Sequence, residues 1–198
     1  MRPIQVVLLR HAATAWTAER RVHADDAAPL SPEGAAQAEA WRLPADLARL
    51  HADGHLGWVS SPLRRAVETA HRLDASPMLE PRLRELDYGD WRGRTLAEVD
   101  ALGVNLGWDG RPPGGESSAE VWLRARGWID ELAGGSGPDC WVAVTHGGVI
   151  RALVGGTLGW DLRPPTPWRL LPERLHRLRR RRDGHVQVLT LNEPLRPE

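Results

Sequence analysis

The sequence predicts an α/β fold, a three-layer α/β/α sandwich around a mostly parallel central sheet. Three observations carry that expectation. IQVVLL, residues 4–9, is a continuously apolar run rich in β-branched side chains, as in a strand buried on both faces. A Ser-Pro pair of the kind that starts helices recurs at Ser31 and Pro32 and at Ser61 and Pro62. CWVAVT, residues 140–145, passes directly into HGGVIRALVGGTLG, a strand turning at once into a helix.

The elements follow in order. The first strand ends on Arg10 and His11, where Gly, Asn, Asp or Pro would be the usual turn formers. SPEGAAQAEAWRL, residues 31–43, takes Ser31 as N-cap and Pro32 as its first helical residue, and Pro44 kinks or ends that helix. A strand around GWVS runs into Ser61 and Pro62, which repeat the cap before LRRAVETAHRL. Residues 116–133 read as helix, with Gly127 as its weak point. WRLL, RLHRLRR and HVQVLTL alternate as strands at the sheet edge. GRPPGGESS and AGGSGPD read as loops, and with no repeat or dividing linker the expectation is a single domain over 1–198.

At 198 residues the chain can bury roughly 70% of its unfolded surface without metals or disulfides. Its 26 basic and 26 acidic residues cancel, so no overall field favours nucleic acid, a membrane or a polyanion. All basic side chains are arginine, which excludes lysine Schiff-base chemistry. The single Cys140 excludes an internal disulfide and a cysteine zinc site; in its apolar run it reads as a buried, inert thiol in a reducing, cytoplasmic setting. The apolar stretch before Arg10 is too short for a signal peptide and no run of 18 apolar residues occurs, so a soluble, unexported protein is expected.

In open parallel sheets, ligands bind beyond the carboxyl ends of the strands. His11 and His146 each follow a strand directly and are therefore expected in one crevice, although far apart in sequence. LLRHAATAW, SSPLRRAVETA, LRELDYGDWRG, PPGGES and VTHGGVIRAL come in the order and at the approximate spacing of the histidine phosphatase superfamily, which the chain resembles from residue 4 to about 155.

The resemblance implies a phosphoglycerate-mutase-like fold and hydrolysis of a small phosphorylated metabolite without cofactor or metal. It makes His11 the nucleophile that carries the phosphoryl group and His146 a contact to the phosphoryl oxygens. Arg10 and Arg65 would bind phosphate, while Arg64 falls on the helix surface, and Gly147 with Gly148 would offer helix N-terminal amides. Counting back three residues from Tyr88 gives Glu85 as general acid, with Asp87 as its competitor. Three departures from the family pattern stand out. RHAAT replaces the usual RHGET, so Ala12 would be strained if the turn required a left-handed residue and Ala13 supplies no carboxylate. Thr17 replaces the usual Asn as phosphate donor. Arg21 aligns with a loop arginine that either touches substrate or lies on the surface.

The nearest alternative is a bisphosphoglycerate-dependent phosphoglycerate mutase. Such mutases are usually longer after the acid motif, whereas residues 95–113 here are short and offer only Arg111. PPGGES is also frequent among phosphatases of this group, including those acting on α-ribazole phosphate. A rival from another class, an anion- or nucleic-acid-binding module, rests on Arg179 to Arg182, whose bland reading is a solvated strand end entering a hairpin before Asp183 and Gly184. His51 and His55 have i, i+4 spacing but no third ligand, and with His23, His71, His176 and His185 they read as surface or satisfied histidines. The oligomeric state is open, a homodimer included.

Overall fold

The computed structural model describes residues 1–104, 106–163, 165 and 167–195, so the expected domain span of 1–198 includes six positions outside the described residues. In chain order the elements are β1 (Ile4–Arg10), α1 (Ala15–Ala18), α2 (Pro32–Ala40), α3 (Ala45–Ala52), β2 (Leu56–Ser60), α4 (Arg64–His71) and β3 (Met78–Leu79). Then follow α5 (Leu96–Asp100), α6 (Ser118–Gly134), β4 (Cys140–Thr145), α7 (Gly147–Leu158), β5 (Arg174–Arg180) and β6 (Val186–Pro194). Single 3-10 turns occupy Pro81–Leu83 and Gly89–Trp91.

The sheet order is β3-β2-β4-β1-β5-β6; β3, β2, β4 and β1 run parallel, and β5 and β6 are antiparallel at one edge. Alternation along β1 builds the three layers. Ile4, Val6 and Leu8 pack with Val121, Trp128, Ile150 and Leu153 of α6 and α7. Val7 and Leu9 point the other way, onto Ala38, Leu47, Ala66 and Ala70 of α2, α3 and α4. A Leu8→Ala change would cost about 2–5 kcal/mol in such a packed interior.

Several local expectations needed correction. Ser31 does cap α2, accepting from Gly34 N–H at 3.0 Å, but α2 ends at Ala40 and Pro44 stands as N-cap of a separate helix, α3. Ser61 does not repeat the cap: Leu63 is the N-cap of α4, which leaves the Ser61 hydroxyl for other partners. WRLL is not a strand. Asn192 on β6 instead holds it through its side chain, accepting from Leu171 N–H at 2.8 Å and donating to the Arg169 carbonyl at 2.8 Å. The four-arginine run is not one solvated face, since Arg180 is buried and paired with Asp130 at 2.8 Å while Arg179, Arg181 and Arg182 are exposed.

Candidate active site

Strand register creates the site. β1 and β4 pair in parallel with Arg10 opposite Thr145, so the residues that follow, His11 and His146, emerge side by side. His11 N–H extends the ladder to the Thr145 carbonyl at 2.9 Å, and the two ring centroids lie 5.2 Å apart. β2, on the far side of β4, brings Ser61 to the same edge, and Arg65 follows one residue into α4. The crevice thus lies beyond the carboxyl ends of three adjacent parallel strands.

A backbone carbonyl fixes the tautomer of His11, and a serine hydroxyl holds His146. His11 Nδ1 lies 2.7 Å from the Ala12 carbonyl, which can only accept, so Nδ1 carries the proton and Nε2 keeps its lone pair. His146 Nε2 lies 2.8 Å from Ser61 Oγ. Leu63 N–H donates to that oxygen at 3.3 Å, and the hydroxyl, with a second lone pair and its own proton, can partner His146 Nε2 in either tautomer. His146 Nδ1 is buried without a partner.

The electrostatics favour an anion. Arg65 is 1% exposed, and its Nε and Nη1 are buried with no hydrogen-bond partner. Such a guanidinium is costly unless an anion completes it. Burial, then the charges of Arg10 and Arg65, hold His11 well below the ordinary imidazole range, and burial with His11 and Arg65 does the same to His146. Both imidazoles are neutral. Glu85 is driven the other way: burial raises its carboxyl above the usual range, against the hydrogen bonds from Leu86 and Gly148 N–H and the charges of Arg10 and Arg65. Its Oε1 accepts from Leu86 N–H at 2.9 Å and Gly148 N–H at 3.0 Å.

His11, His146, Arg10, Arg65 and Glu85 therefore converge with Gly147, while Thr17 and Arg21 fall elsewhere and Asp87 has another task. Asp87 lines the same cavity as Arg65 and Glu85 but is exposed, and its Oδ1 caps the turn by accepting from Gly89 N–H at 2.9 Å. Thr17 gives its hydroxyl proton to the Thr14 carbonyl at 2.9 Å and accepts Thr14 N–H at 2.8 Å, a capping box that uses the group expected to serve phosphate. Arg21 pairs with Glu19 at 3.0 Å and with the Gly93 carbonyl at 3.0 Å, away from the crevice lining. Gly147, the first residue of α7, lies beside Arg10. Ala12 has no positive φ, so alanine is unstrained there, and its N–H donates to Thr69 Oγ1 at 3.0 Å.

One site residue escaped the sequence. His23 does not behave as a surface histidine: its ring meets His11 edge-on at 5.6 Å, and its Nε2 lies 3.3 Å from Thr14 Oγ1. Burial, then Arg65 and Arg10, lower its pKa to about 4. No spacing signal marks it, because a loop rather than a strand end delivers it. His51 is structural, accepting Trp58 Nε1–H at 3.1 Å. Among the described residues no group of three His, Cys, Asp or Glu could hold a metal ion, and no helix is long and apolar enough to cross a membrane.

Known proteins resemble the chain over most of its length. Residues 6–194 match the model of the histidine phosphatase superfamily, branch 1. The chain is 39% identical over 176 residues to glucosyl-3-phosphoglycerate phosphatase of Mycolicibacterium vanbaalenii, covering 80% of this chain and 76% of that one. It is 36% identical over 173 residues to the protein named probable phosphoglycerate mutase GpmB of an Enterobacter species, covering 79% and 75%. Among solved structures, a mycobacterial glucosyl-3-phosphoglycerate phosphatase in complex with VO3 superposes with a TM-score of 0.78 at 29% identity, covering 96% of this chain and 99% of that one.

Proposed function

This chain belongs to the histidine phosphatase superfamily as a hydrolase of phosphate esters, and we propose that it cleaves small phosphomonoesters through a phosphohistidine on His11 with Glu85 as general acid. The observation that carries the reading is the buried, unpartnered Arg65 guanidinium beside a neutral imidazole whose Nε2 lone pair is free.

In the first step His11 Nε2 forms a bond to phosphorus as the bond to the ester oxygen breaks, and the Glu85 carboxyl proton passes to that oxygen, releasing an alcohol. The ring becomes cationic, and Nδ1–H remains on the Ala12 carbonyl. Arg10, Arg65 and the partnerless Nδ1 of His146, taken in its Nδ1–H tautomer, hold the equatorial oxygens, where charge spreads in the transition state. In the second step the Glu85 carboxylate removes a proton from water as its oxygen attacks phosphorus, and the P–N bond returns its electron pair to Nε2. Inorganic phosphate leaves, and enzyme and charge are restored.

Labelling with a radioactive phosphate ester and quenching without acid tests this reading. An acid-labile, alkali-stable label absent from His11→Ala is expected; label surviving in that variant would place the nucleophile elsewhere. The likeness to a named mutase supports a second reading, transfer back to a hydroxyl. Assaying phosphate release and 3- to 2-phosphoglycerate exchange in one reaction separates the two, with release expected to dominate. The whole chain is read as one domain acting on a small phosphorylated metabolite.

A further inference from the structure

Two walls of the crevice differ in charge, and the difference identifies where the rest of a substrate goes. On the Glu85 side, a cavity of about 480 Å³ holds, besides the Arg65 of the phosphoryl site, cations that are already answered. Arg84 and Arg92 share Asp26 at 2.6 and 3.0 Å, and Arg124 pairs with Glu116 at 2.7 Å. On the Arg10 side lies a second cavity of about 460 Å³ with no acidic residue in its lining. It contains Arg10, Arg151 and Arg169, none of which forms an ion pair among the described residues. Its single imidazole, His176, accepts Asn192 N–H at 3.2 Å, and burial lowers its pKa to about 4, so it adds no negative charge and no variable one.

We propose that this cavity is a subsite for a second anionic group of the substrate, a carboxylate or another phosphate, held by Arg151 and Arg169 at the end of an apolar stem. The inference rests on the phosphatase reading above, because Arg10 and Gly147 join the cavity to the site assigned to the reacting phosphoryl group. Arg151 reaches the same region from α7: its charge and that of Arg10 both act on the buried Tyr88 phenol. Trp168 lines the cavity as well and contributes an apolar face, while its indole N–H is buried without a partner. Guanidiniums without ion-pair partners beside an apolar wall are matched by a ligand that is acidic at its tip and carbon along its length. Arg151 and Arg169 are exposed, and a neutral sugar or alcohol would offer them hydroxyl oxygens but no charge.

Phenyl phosphate and its 3- and 4-carboxy derivatives test the subsite, with 1,4-phenylene bisphosphate to distinguish a second phosphate from a carboxylate. Wild type should favour at least one doubly anionic ester by roughly 10- to 100-fold in kcat/KM, the range expected of one or two charge-assisted hydrogen bonds. Arg151→Gln with Arg169→Gln should bring that preference towards unity while phenyl phosphate turnover stays unchanged; taking the ratio to wild type cancels the leaving-group difference. No preference in wild type, or a preference that survives in the double variant, overturns the subsite. Calorimetric binding of the same compounds reads the subsite without turnover. If no ester is hydrolysed but the doubly anionic compounds still bind through Arg151 and Arg169, the phosphatase reading fails and the subsite stands.

Discussion

Glu85 Oε1 accepts a hydrogen bond from the N–H of Gly148 at 3.0 Å, and only a residue without Cβ at 148 permits this approach. A methyl group there would stand 2.5 Å from the same oxygen and 3.0 Å from Leu86 Cβ. The second glycine of HGG therefore sets the position of the proposed acid. Gly148→Ala should lower kcat/KM on alkyl phosphates by about 10²-fold, the scale of an ångström-sized misplacement. Steady-state kinetics, with circular dichroism to verify the fold, should show a smaller loss on p-nitrophenyl phosphate; equal losses would mean that the substitution disturbs phosphate binding instead.

The acid itself is tested by its leaving group. Nitrophenolate departs unaided, whereas an alkoxide must be protonated as its bond breaks. Glu85→Gln keeps size and polarity but has no acidic proton, so a loss on the order of 10²-fold or more is expected on alkyl phosphates and far less on p-nitrophenyl phosphate. Asp87→Asn should show no such split, since that carboxylate is exposed and caps a turn. The reverse pattern would transfer the role to Asp87.

Most of this site could be read from residues at strand ends. Parallel pairing of two apolar runs makes their next residues neighbours, so His11 and His146 were legible before any coordinates. Arg65 and Glu85 came from motif resemblance alone, because nothing in composition says which arginine of SSPLRRA turns inward. His23 was not legible: its place depends on how the 19–30 loop folds back, which no periodicity encodes. WRLL shows the opposite failure, a β-like pattern overridden because the Asn192 side chain occupies the backbone groups a ladder would use. Thr17 shows why a matching residue type is insufficient, since a local cap satisfies its hydroxyl first.

Arg65 should trade stability for function. Two of its buried nitrogens lack partners, and each unsatisfied donor costs about 1–3 kcal/mol until an anion arrives. Inorganic phosphate at a hundredfold excess over its Kd should add about 2.7 kcal/mol, which for a chain of this size raises Tm by about 5–10 °C. Arg65→Met should raise the phosphate-free Tm and abolish the phosphate-induced shift, as read by differential scanning calorimetry. A variant less stable than wild type without phosphate would show that Arg65 also supports the fold.

The pH profile should separate substrates in the same way as the Glu85 variant, through a different observable. For kcat/KM, the free enzyme's His11 must be neutral and Glu85 protonated. Burial with Arg10 and Arg65 puts the His11 pKa well below 6.5, so the acid limb lies below that value; burial raises Glu85 above 4.5, so the alkaline limb begins higher than an ordinary carboxylate would place it. On alkyl phosphates the alkaline limb of kcat/KM should therefore fall above the ordinary carboxylate range, and p-nitrophenyl phosphate should lack that Glu85-dependent alkaline fall. A bound dianion favours the protonated form of both groups, so both limbs of the kcat profile should shift to higher pH than those of kcat/KM. Glu85→Gln should remove the alkaline limb on alkyl phosphates and leave the acid limb in place. An alkaline limb unchanged in that variant would assign it to another group and exclude Glu85 as the proton donor.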